Sequence, residues 1–158
     1  MRIRGILKTS GQKMLEIQDS LKSLIDASLK ELGWLEQSAS EEHYLDIAQD
    51  NRFGDLSTNI AMKLSRAIKK PAFEIANMLV PAIKKNLANS SLKDYIKEIK
   101  VEGAGFINFY FSYGFFYCQI KDIVLKGREA LRVNFGKGKK VLIEGRSMKV
   151  NIEIVKQL

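Results

Sequence analysis

The eight residues from Gly105 to Ser112 constrain the fold of this chain more than any other segment. They read Gly-Phe-Ile-Asn-Phe-Tyr-Phe-Ser, and successive side chains of a β-strand point to opposite faces. One face of the predicted strand is apolar and needs a core; it consists of Ile107, Phe109 and Phe111. The other face combines aromatic rings with an amide, a surface suited to stacking and hydrogen bonding; it consists of Phe106, Asn108 and Tyr110.

Other segments predict helices and further strands. Met14 to Leu32 has apolar residues at helical spacing, and two more helices are expected after the turn at residues 50–55 and from Pro71. Residues 43–48 and 95–101 are strand-like. We therefore expect an α+β fold of ferredoxin-like or RNA-binding type, with a small antiparallel sheet of three to four strands and helices packed on one face.

The last predicted helix spans about residues 113–126. Ser112 is a suitable N-cap and Gly127 a suitable stop. Its apolar side is formed by Phe116, Ile120, Ile123 and Val124.

The net charge of +8 is concentrated at the two ends of the chain. Residues 1–14 contain four basic and no acidic side chains, and residues 128–158 contain eight basic and three acidic ones. The segment between them has 14 basic and 15 acidic side chains. Charge alone is therefore poor evidence that the folded middle binds RNA, and such a claim must depend on particular side chains.

Composition excludes several classes of site. A single cysteine, Cys118, rules out an internal disulfide and a cysteine-based zinc site. No metal site is expected. A membrane span is not expected either, because no apolar run approaches the roughly 20 residues that a span needs. A reducing, cytoplasmic location fits this cysteine usage.

Two motifs carry a resemblance to a known family. The first is Phe53-Gly-Asp-Leu-Ser-Thr-Asn-Ile-Ala, and the second, about 50 positions later, is Val101-Glu-Gly-Ala-Gly-Phe-Ile-Asn-Phe. In this order and spacing they resemble the N-terminal additional domain of arginyl-tRNA synthetases. Gly-Lys-Lys-Val-Leu-Ile-Glu, ending at Glu144, is similar to the linker and first strand of the family's class I catalytic domain.

The resemblance implies a division of the chain. Residues 14–127 would form the tRNA-binding domain, and residues 128–144 the linker and first catalytic strand. Residues 1–13 would be an N-terminal extension whose order the sequence leaves open. Residues 145–158 depart from the family pattern, and a shifted reading frame, vector sequence and natural truncation all remain open as origins.

The same resemblance implies that the parent ligase uses ATP and L-arginine, whereas this chain needs no cofactor. After Gly145 the sequence lacks the Ser-x-Asn-Pro and His-x-Gly-His signatures of the family, and the Lys-Met-Ser-Lys-Ser loop is absent. These groups bind ATP and stabilise charge during adenylation. We therefore expect no catalytic residues and no aminoacylation by these 158 residues.

The family pattern places an aromatic residue and an asparagine against a base of the tRNA D-loop, and the matching positions are Phe106 and Asn108. Tyr110 follows on the same strand face, and Lys97 and Lys100 could meet phosphates. The expected partner is tRNA-Arg, bound at its outer corner. Family members are often monomeric, and the sequence leaves the oligomeric state open.

Two other functions remain open from the sequence. The chain could be a free-standing RNA-binding module with no synthetase parent. Alternatively, it could be a protein-interaction domain that uses the face of Phe106, Asn108 and Tyr110 to dock a partner protein.

Overall fold

The computed structural model describes residues 10–38, 45–48, 50–131, 142–146 and 149–153. The helices are α1 (Ser10–Glu31), α2 (Leu35–Ser38), α3 (Ile60–Ile68), α4 (Ala72–Ala88) and α5 (Tyr113–Lys126). The strands are β1 (Leu45–Ile47), β2 (Leu56–Thr58), β3 (Ile96–Glu102), β4 (Phe106–Phe111), β5 (Leu142–Arg146) and β6 (Lys149–Glu153). None of the described helices has the length and the apolar run needed to cross a membrane.

The first four strands form one antiparallel sheet in the order β1-β2-β4-β3. Strand β4 is therefore central, paired with β2 on one side and with β3 on the other. The register sets Asn108 opposite Ser57 on β2 and opposite Lys100 on β3. This arrangement confirms the predicted α+β fold with a small antiparallel sheet.

The core lies between one face of this sheet and the helices. Ile107, Phe109 and Phe111 of β4 are all at most 5% exposed, as the alternation of the strand predicts. They join buried residues of α1, α3 and α4 in a single cluster. Helix α1 packs on α4 and α4 packs on β3, so the helices cover the apolar face of the sheet.

Strand β2 lies within the segment that the sequence predicts only as a turn leading into a helix. It is three residues long, and the Gly54–Asp55 pair before it explains its position. Gly54 has φ +87°, and a Cβ there would lie 2.8 Å from the carbonyl oxygen of Phe109. The amide of Asp55 donates to the same oxygen at 2.9 Å, and the Asp55 carboxylate accepts from the Phe111 amide at 2.7 Å. The Gly-Asp pair therefore holds the loop against β4.

Helix α5 has the predicted ends but not the expected orientation. Ser112 caps it by accepting a hydrogen bond from the Phe115 amide, and Gly127 follows its last residue. The predicted apolar side is on the outside: Phe116, Ile120, Ile123 and Val124 are 41%, 60%, 39% and 76% exposed. Phe115 is the only buried residue of this helix.

The remaining strands, β5 and β6, pair antiparallel in a separate two-stranded sheet. Strand β5 overlaps the segment predicted as a strand ending at residue 144 and continues to Arg146. Residues 1–9, 39–44 and 132–141 lie outside the described part of the chain, and most of the predicted extension and of the linker falls there.

Candidate nucleic-acid interface

A groove of about 710 Å³ opens beside the loop that precedes β2 and the turn between β3 and β4. Strands β1, β2, β3 and β4 and these connections all contribute to its walls. Its lining consists of Asp46, Ile47, Ala48, Asp50, Phe53, Ser57, Asn59, Glu102, Gly103, Phe106 and Asn108. Two of the five site residues predicted from the sequence, Phe106 and Asn108, therefore line one groove.

Three large apolar side chains of the groove are open to solvent. Phe106 is 41% exposed, Phe53 is 49% exposed and Ile47 is 70% exposed. Exposed aromatic rings in a concave site offer flat faces on which a planar group can stack. The expectation that Phe106 lies outside the core is confirmed.

Asn108 occupies the expected strand face, but the expectation of a free amide is wrong. Its side chain is 1% exposed. The Asn108 Oδ1 atom accepts a hydrogen bond from Ser57 Oγ at 2.7 Å, and Nδ2 donates to Glu102 Oε2 at 2.8 Å. The physical reason is the central position of β4, because residues of both neighbouring strands flank the amide and bond to it.

Tyr110 is also fixed by hydrogen bonds. Its hydroxyl donates to the carbonyl oxygen of Arg52 at 2.8 Å and lies 3.5 Å from Glu102 Oε1. Loss of solvent around the phenol raises its pKa above the ordinary 10.0, and the negative charge of Glu102 acts in the same direction. Glu102 therefore connects Asn108 and Tyr110.

The two predicted lysines lie on β3 and already have neighbours. Lys100 Nζ forms an ion pair with Glu98 at 3.3 Å and lies 4.9 Å from the centre of the Tyr110 ring. The hydrogen bond to Glu98 raises the pKa of Lys100. Lys97 Nζ lies 5.6 Å from the centre of the Tyr113 ring. Neither lysine lines the groove, and both are exposed.

Charge in the groove itself is mostly negative. Its lining includes three carboxylates, Asp46, Asp50 and Glu102, and no lysine or arginine. Asp50 is neutralised by Arg52 at 2.7 Å, and this hydrogen bond lowers the pKa of Asp50. Within the described residues, no three metal-binding side chains come together. A groove of this charge suits a neutral, hydrogen-bonding ligand better than a phosphate.

Several lining residues were not anticipated from the sequence. The sequence places Phe53 in a turn and offers Ser57 as a possible N-cap of the next helix, whereas Ser57 lies in β2 and bonds to Asn108; for Glu102 it predicts no role. Asn59 occupies the N-cap position of α3, but its side chain makes no capping hydrogen bond. No donor in the described part of the chain reaches its buried Oδ1 atom. The short Gly-Ala-Gly turn pairs Glu102 with Phe106 across β3 and β4, and this turn is the sequence signal that could have indicated Glu102.

The fold and groove together define an α+β domain with an aromatic-lined groove on its sheet. Residues 19–111 match the family model described as the arginyl tRNA synthetase N terminal domain. The arginine–tRNA ligase of Listeria monocytogenes serotype 4a (strain HCC23) is 35% identical over 131 residues, and that of Bacillus pumilus is 34% identical over 130 residues. The chain therefore belongs to the arginyl-tRNA synthetase family. Its residues 19–111 correspond to the N-terminal domain of these enzymes.

These matches cover 83% and 82% of the chain and 22% of each relative. The chain thus spans about a fifth of the length of the ligases that it matches. A crystal structure of the Plasmodium falciparum arginyl-tRNA synthetase resembles this fold with a TM-score of 0.50 and 20% identity. That likeness covers 68% of this chain and 18% of the Plasmodium chain, and it supports the fold alone.

Proposed function

We propose that this domain binds the D-loop at the outer corner of tRNA-Arg and thereby supports ATP-dependent arginylation by a full-length ligase in the cytoplasm. The observation that carries the proposal is the exposed ring of Phe106 in the groove that Asn108 also lines. Unpaired bases of RNA loops are recognised by stacking on aromatic rings and by hydrogen bonds to their edges. Membership of the family supports tRNA as the partner.

In this proposal Phe106 supplies the stacking surface, and Asn108 has two roles. Its bonds to Ser57 and Glu102 hold the groove wall in place. An amide can make four hydrogen bonds, so one donor and one acceptor position remain for a base edge. Because the side chain is 1% exposed, a small shift of the groove wall has to accompany that direct contact.

Phosphates would be met outside the groove. Lys97 and Lys100 are exposed at the adjacent strand β3, and Lys100 would exchange part of its contact with Glu98 for a phosphate. Tyr110 would keep Lys100 near the sheet through the ring contact of 4.9 Å. Because the middle of the chain is nearly neutral, few phosphates are neutralised, and we expect affinity in the micromolar range or weaker.

Calorimetric titration of the chain with tRNA-Arg tests the proposal. Replacing Phe106 by Ala removes the stacking surface and should weaken binding by about 1–3 kcal/mol. The matched control is Phe73→Ala, since Phe73 is 51% exposed on α4 and does not line the groove. This control should leave the affinity unchanged.

Substitutions of individual D-loop bases form the second arm of this titration. Affinity should fall when one particular base of the loop is substituted. For the tRNA with that substitution, Phe106→Ala should cause no further loss of affinity. If affinity is indifferent to all D-loop changes, to Phe106→Ala and to Asn108→Ala, the proposed binding mode is wrong. A protein partner that competes with tRNA-Arg for the face of Phe106, Asn108 and Tyr110 would instead support the interaction-domain alternative.

We also propose that these 158 residues alone do not activate arginine. The only histidine is His43, and neither the His-x-Gly-His nor the Lys-Met-Ser-Lys-Ser motif is present. ATP–pyrophosphate exchange in the presence of arginine and tRNA-Arg should stay at background. Exchange above that of a heat-denatured sample would contradict the proposal.

A further inference from the structure

The connection between α3 and α4 carries a compact group of positive charges. The segment 56–73 has four basic side chains and no acidic one. Three of the four are exposed, namely Arg66, Lys69 and Lys70, and we call these three residues the basic corner. The other residues of the segment 15–127 have ten basic and fifteen acidic side chains, so this local excess is opposite in sign to the charge around it.

The protein itself does not neutralise the basic corner. Within the described part of the chain, no carboxylate forms an ion pair with any of its three members. The Lys70 Nζ atom lies 3.7 Å from the sulfur of Met78, which is a weak and uncharged acceptor. Neighbouring cations repel one another, and the negative end of the α3 dipole offsets only part of this repulsion. A polyanion bound at the corner would supply the missing negative charge.

Lys69 adopts a backbone conformation that disfavours lysine. Its φ and ψ angles are +56° and +39°, and it is the only residue other than glycine with positive φ in the described part of the chain. Glycine or asparagine is usual at this left-handed position after a helix, because other side chains are strained there. A strained residue at a surface indicates a role other than stability.

The fold brings the basic corner to the rim of the groove. Gly105 lies in the turn between β3 and β4, and a Cβ there would lie 2.8 Å from the carbonyl carbon of Ala72. Ala72 follows Lys70 by two residues, so their Cα atoms are at most about 7 Å apart. Gly103 of the same turn and Phe106 directly after it line the groove. The basic corner and the groove therefore flank one turn.

This placement suits the backbone of an RNA strand whose base enters the groove. The lining of the groove includes no lysine or arginine, so the phosphates next to that base have to be met at the rim. Lys100, at the β3 side, already pairs with Glu98. The basic corner offers charges that no carboxylate of the described residues holds.

We propose that the basic corner is a second RNA-contact site, which binds backbone phosphates of the strand whose base stacks on Phe106. This inference rests on the proposed function for the identity of the RNA. Arg66 can hold a phosphate through two parallel hydrogen bonds, whereas Lys69 and Lys70 act as point charges. Such contacts position the RNA and do not read its sequence.

The salt dependence of tRNA binding tests this proposal. Fluorescence anisotropy of labelled tRNA-Arg gives the affinity of the chain at several salt concentrations. The double variant Lys69→Gln/Lys70→Gln removes two charges and should lower the slope of log affinity against log salt by about 1.4, with roughly tenfold weaker binding at about 0.1 M salt. Arginine at both positions should keep the parent values.

The matched control for charge is Lys84→Gln. Lys84 is also exposed on α4, but it lies about 18 Å further along that helix than Ala72. Its replacement changes the net charge in the same sense and should leave the slope unchanged. A slope that falls equally in Lys84→Gln would overturn the proposal, because the effect would then be one of net charge.

Lys69→Gly separates binding from folding. It removes the strained side chain, so the thermal midpoint should rise or stay the same, while RNA affinity should fall as in Lys69→Gln. A lower midpoint with unchanged affinity would show that Lys69 serves the fold and would overturn the proposal. In a full-length ligase, basic-corner variants that lower the midpoint but leave tRNA affinity unchanged would assign the corner to a contact within that ligase, with the same consequence.

A tRNA with substituted D-loop bases distinguishes this proposal from the base contact. The basic-corner variants should lose the same factor in affinity with this tRNA as with tRNA-Arg, and also in a Phe106→Ala background. If Phe106→Ala has no effect while the basic-corner variants still weaken binding, only the base contact fails. If Phe106→Ala weakens binding but Lys69→Gln/Lys70→Gln changes neither slope nor affinity, the basic corner is not a phosphate site.

Discussion

The hydroxyl of Ser57 donates a hydrogen bond of 2.7 Å to the side-chain oxygen of Asn108, a residue 51 positions later in the chain. The Asn108 amide nitrogen in turn donates to Glu102. The three side chains link β2, β4 and β3 across the wall of the groove. The bond from Ser57 requires an acceptor at Asn108, and the bond to Glu102 requires a donor.

The variant Asn108→Asp should therefore destabilise the fold in a pH-dependent way. The new carboxylate can still accept from Ser57, but it has no donor for Glu102 and repels it. We expect the free energy of unfolding to fall by about 2–4 kcal/mol at neutral pH. The loss should be small in acid, where a proton shared by the two carboxyl groups restores a donor, and should grow as the pH rises.

Urea denaturation between pH 4 and pH 8 measures this effect against the parent chain. Adding Glu102→Gln to the Asn108→Asp variant supplies a donor again and should remove most of the pH dependence. Equal losses at both ends of the range would show that the Asn108–Glu102 contact does not hold the groove wall.

Gly54→Ala should be one of the most damaging single-methyl additions in this domain. The added Cβ would lie 2.8 Å from the Phe109 carbonyl oxygen at a backbone φ of +87°. We expect a loss of about 3 kcal/mol or more in the free energy of unfolding, from backbone strain and displacement of β4. Thermal or urea denaturation measures it.

The control for this change is Gly33→Ala. Gly33 also has positive φ, +72°, but a Cβ there meets nothing within 4 Å. The loss of unfolding free energy in Gly33→Ala should be limited to the cost of a left-handed backbone conformation for alanine, about 1–2 kcal/mol. Similar losses at the two positions would mean that close approach to β4 is not what requires glycine in the Gly-Asp pair.

Tyr110 should ionise at a higher pH in the folded chain than in the unfolded chain, since desolvation raises its pKa above 10.0. The neutral phenol is the form that donates to the Arg52 carbonyl. Its contribution to stability is therefore complete below about pH 10 and is lost as the pH rises through the raised pKa. The phenolate absorbance is measured as a function of pH. The difference between the parent chain and Tyr110→Phe gives the ionisation of Tyr110 alone.

Repeating this titration in denaturant provides the reference. The difference signal should then appear near pH 10, the ordinary value for tyrosine. If the folded midpoint is at or below that of the denatured chain, the enclosure of Tyr110 between Arg52 and Glu102 is wrong.

Ser112→Ala should loosen the start of α5. The Ser112 hydroxyl accepts from the Phe115 amide at 3.2 Å and donates to the Asp94 carbonyl at 2.7 Å. Loss of an N-cap costs about 0.5–2 kcal/mol, and amide hydrogen exchange should quicken first near Phe115. Ser65→Ala is a suitable control, since the Ser65 hydroxyl donates to the Met62 carbonyl in an exposed hydrogen bond within its own helix. Unchanged exchange in α5 would contradict the capping role.

Features set by neighbouring residues were predictable from the sequence. The ends of α5 agree with the predicted ones because Ser112 and Gly127 act on the adjacent turn of the helix. The apolar face of β4 agrees because alternation is a property of the strand itself. The family also follows from local motifs, since the Gly-Asp and Gly-Phe-Ile-Asn-Phe segments carry it.

Features set by residues distant in sequence were not predictable. Strand β2 is three residues long and exists through its pairing with β4, so the turn-like composition around it conceals it. The burial of Asn108 depends on that pairing as well. Periodicity predicted the apolar side of α5 but could not indicate that most of this side is exposed, with Phe115 as the one buried residue of the helix.

The sheet order β1-β2-β4-β3 has a kinetic consequence. Strands β3 and β4 are joined by a three-residue turn, whereas β2 reaches β4 only after two helices and about fifty residues have been placed. Closing such a long loop slows pairing. The wall formed by β1 and β2 should therefore assemble after the β3–β4 hairpin, and it should be the first part of the sheet to open in native-state exchange. A ligand held in the groove would slow that opening by bridging the two halves.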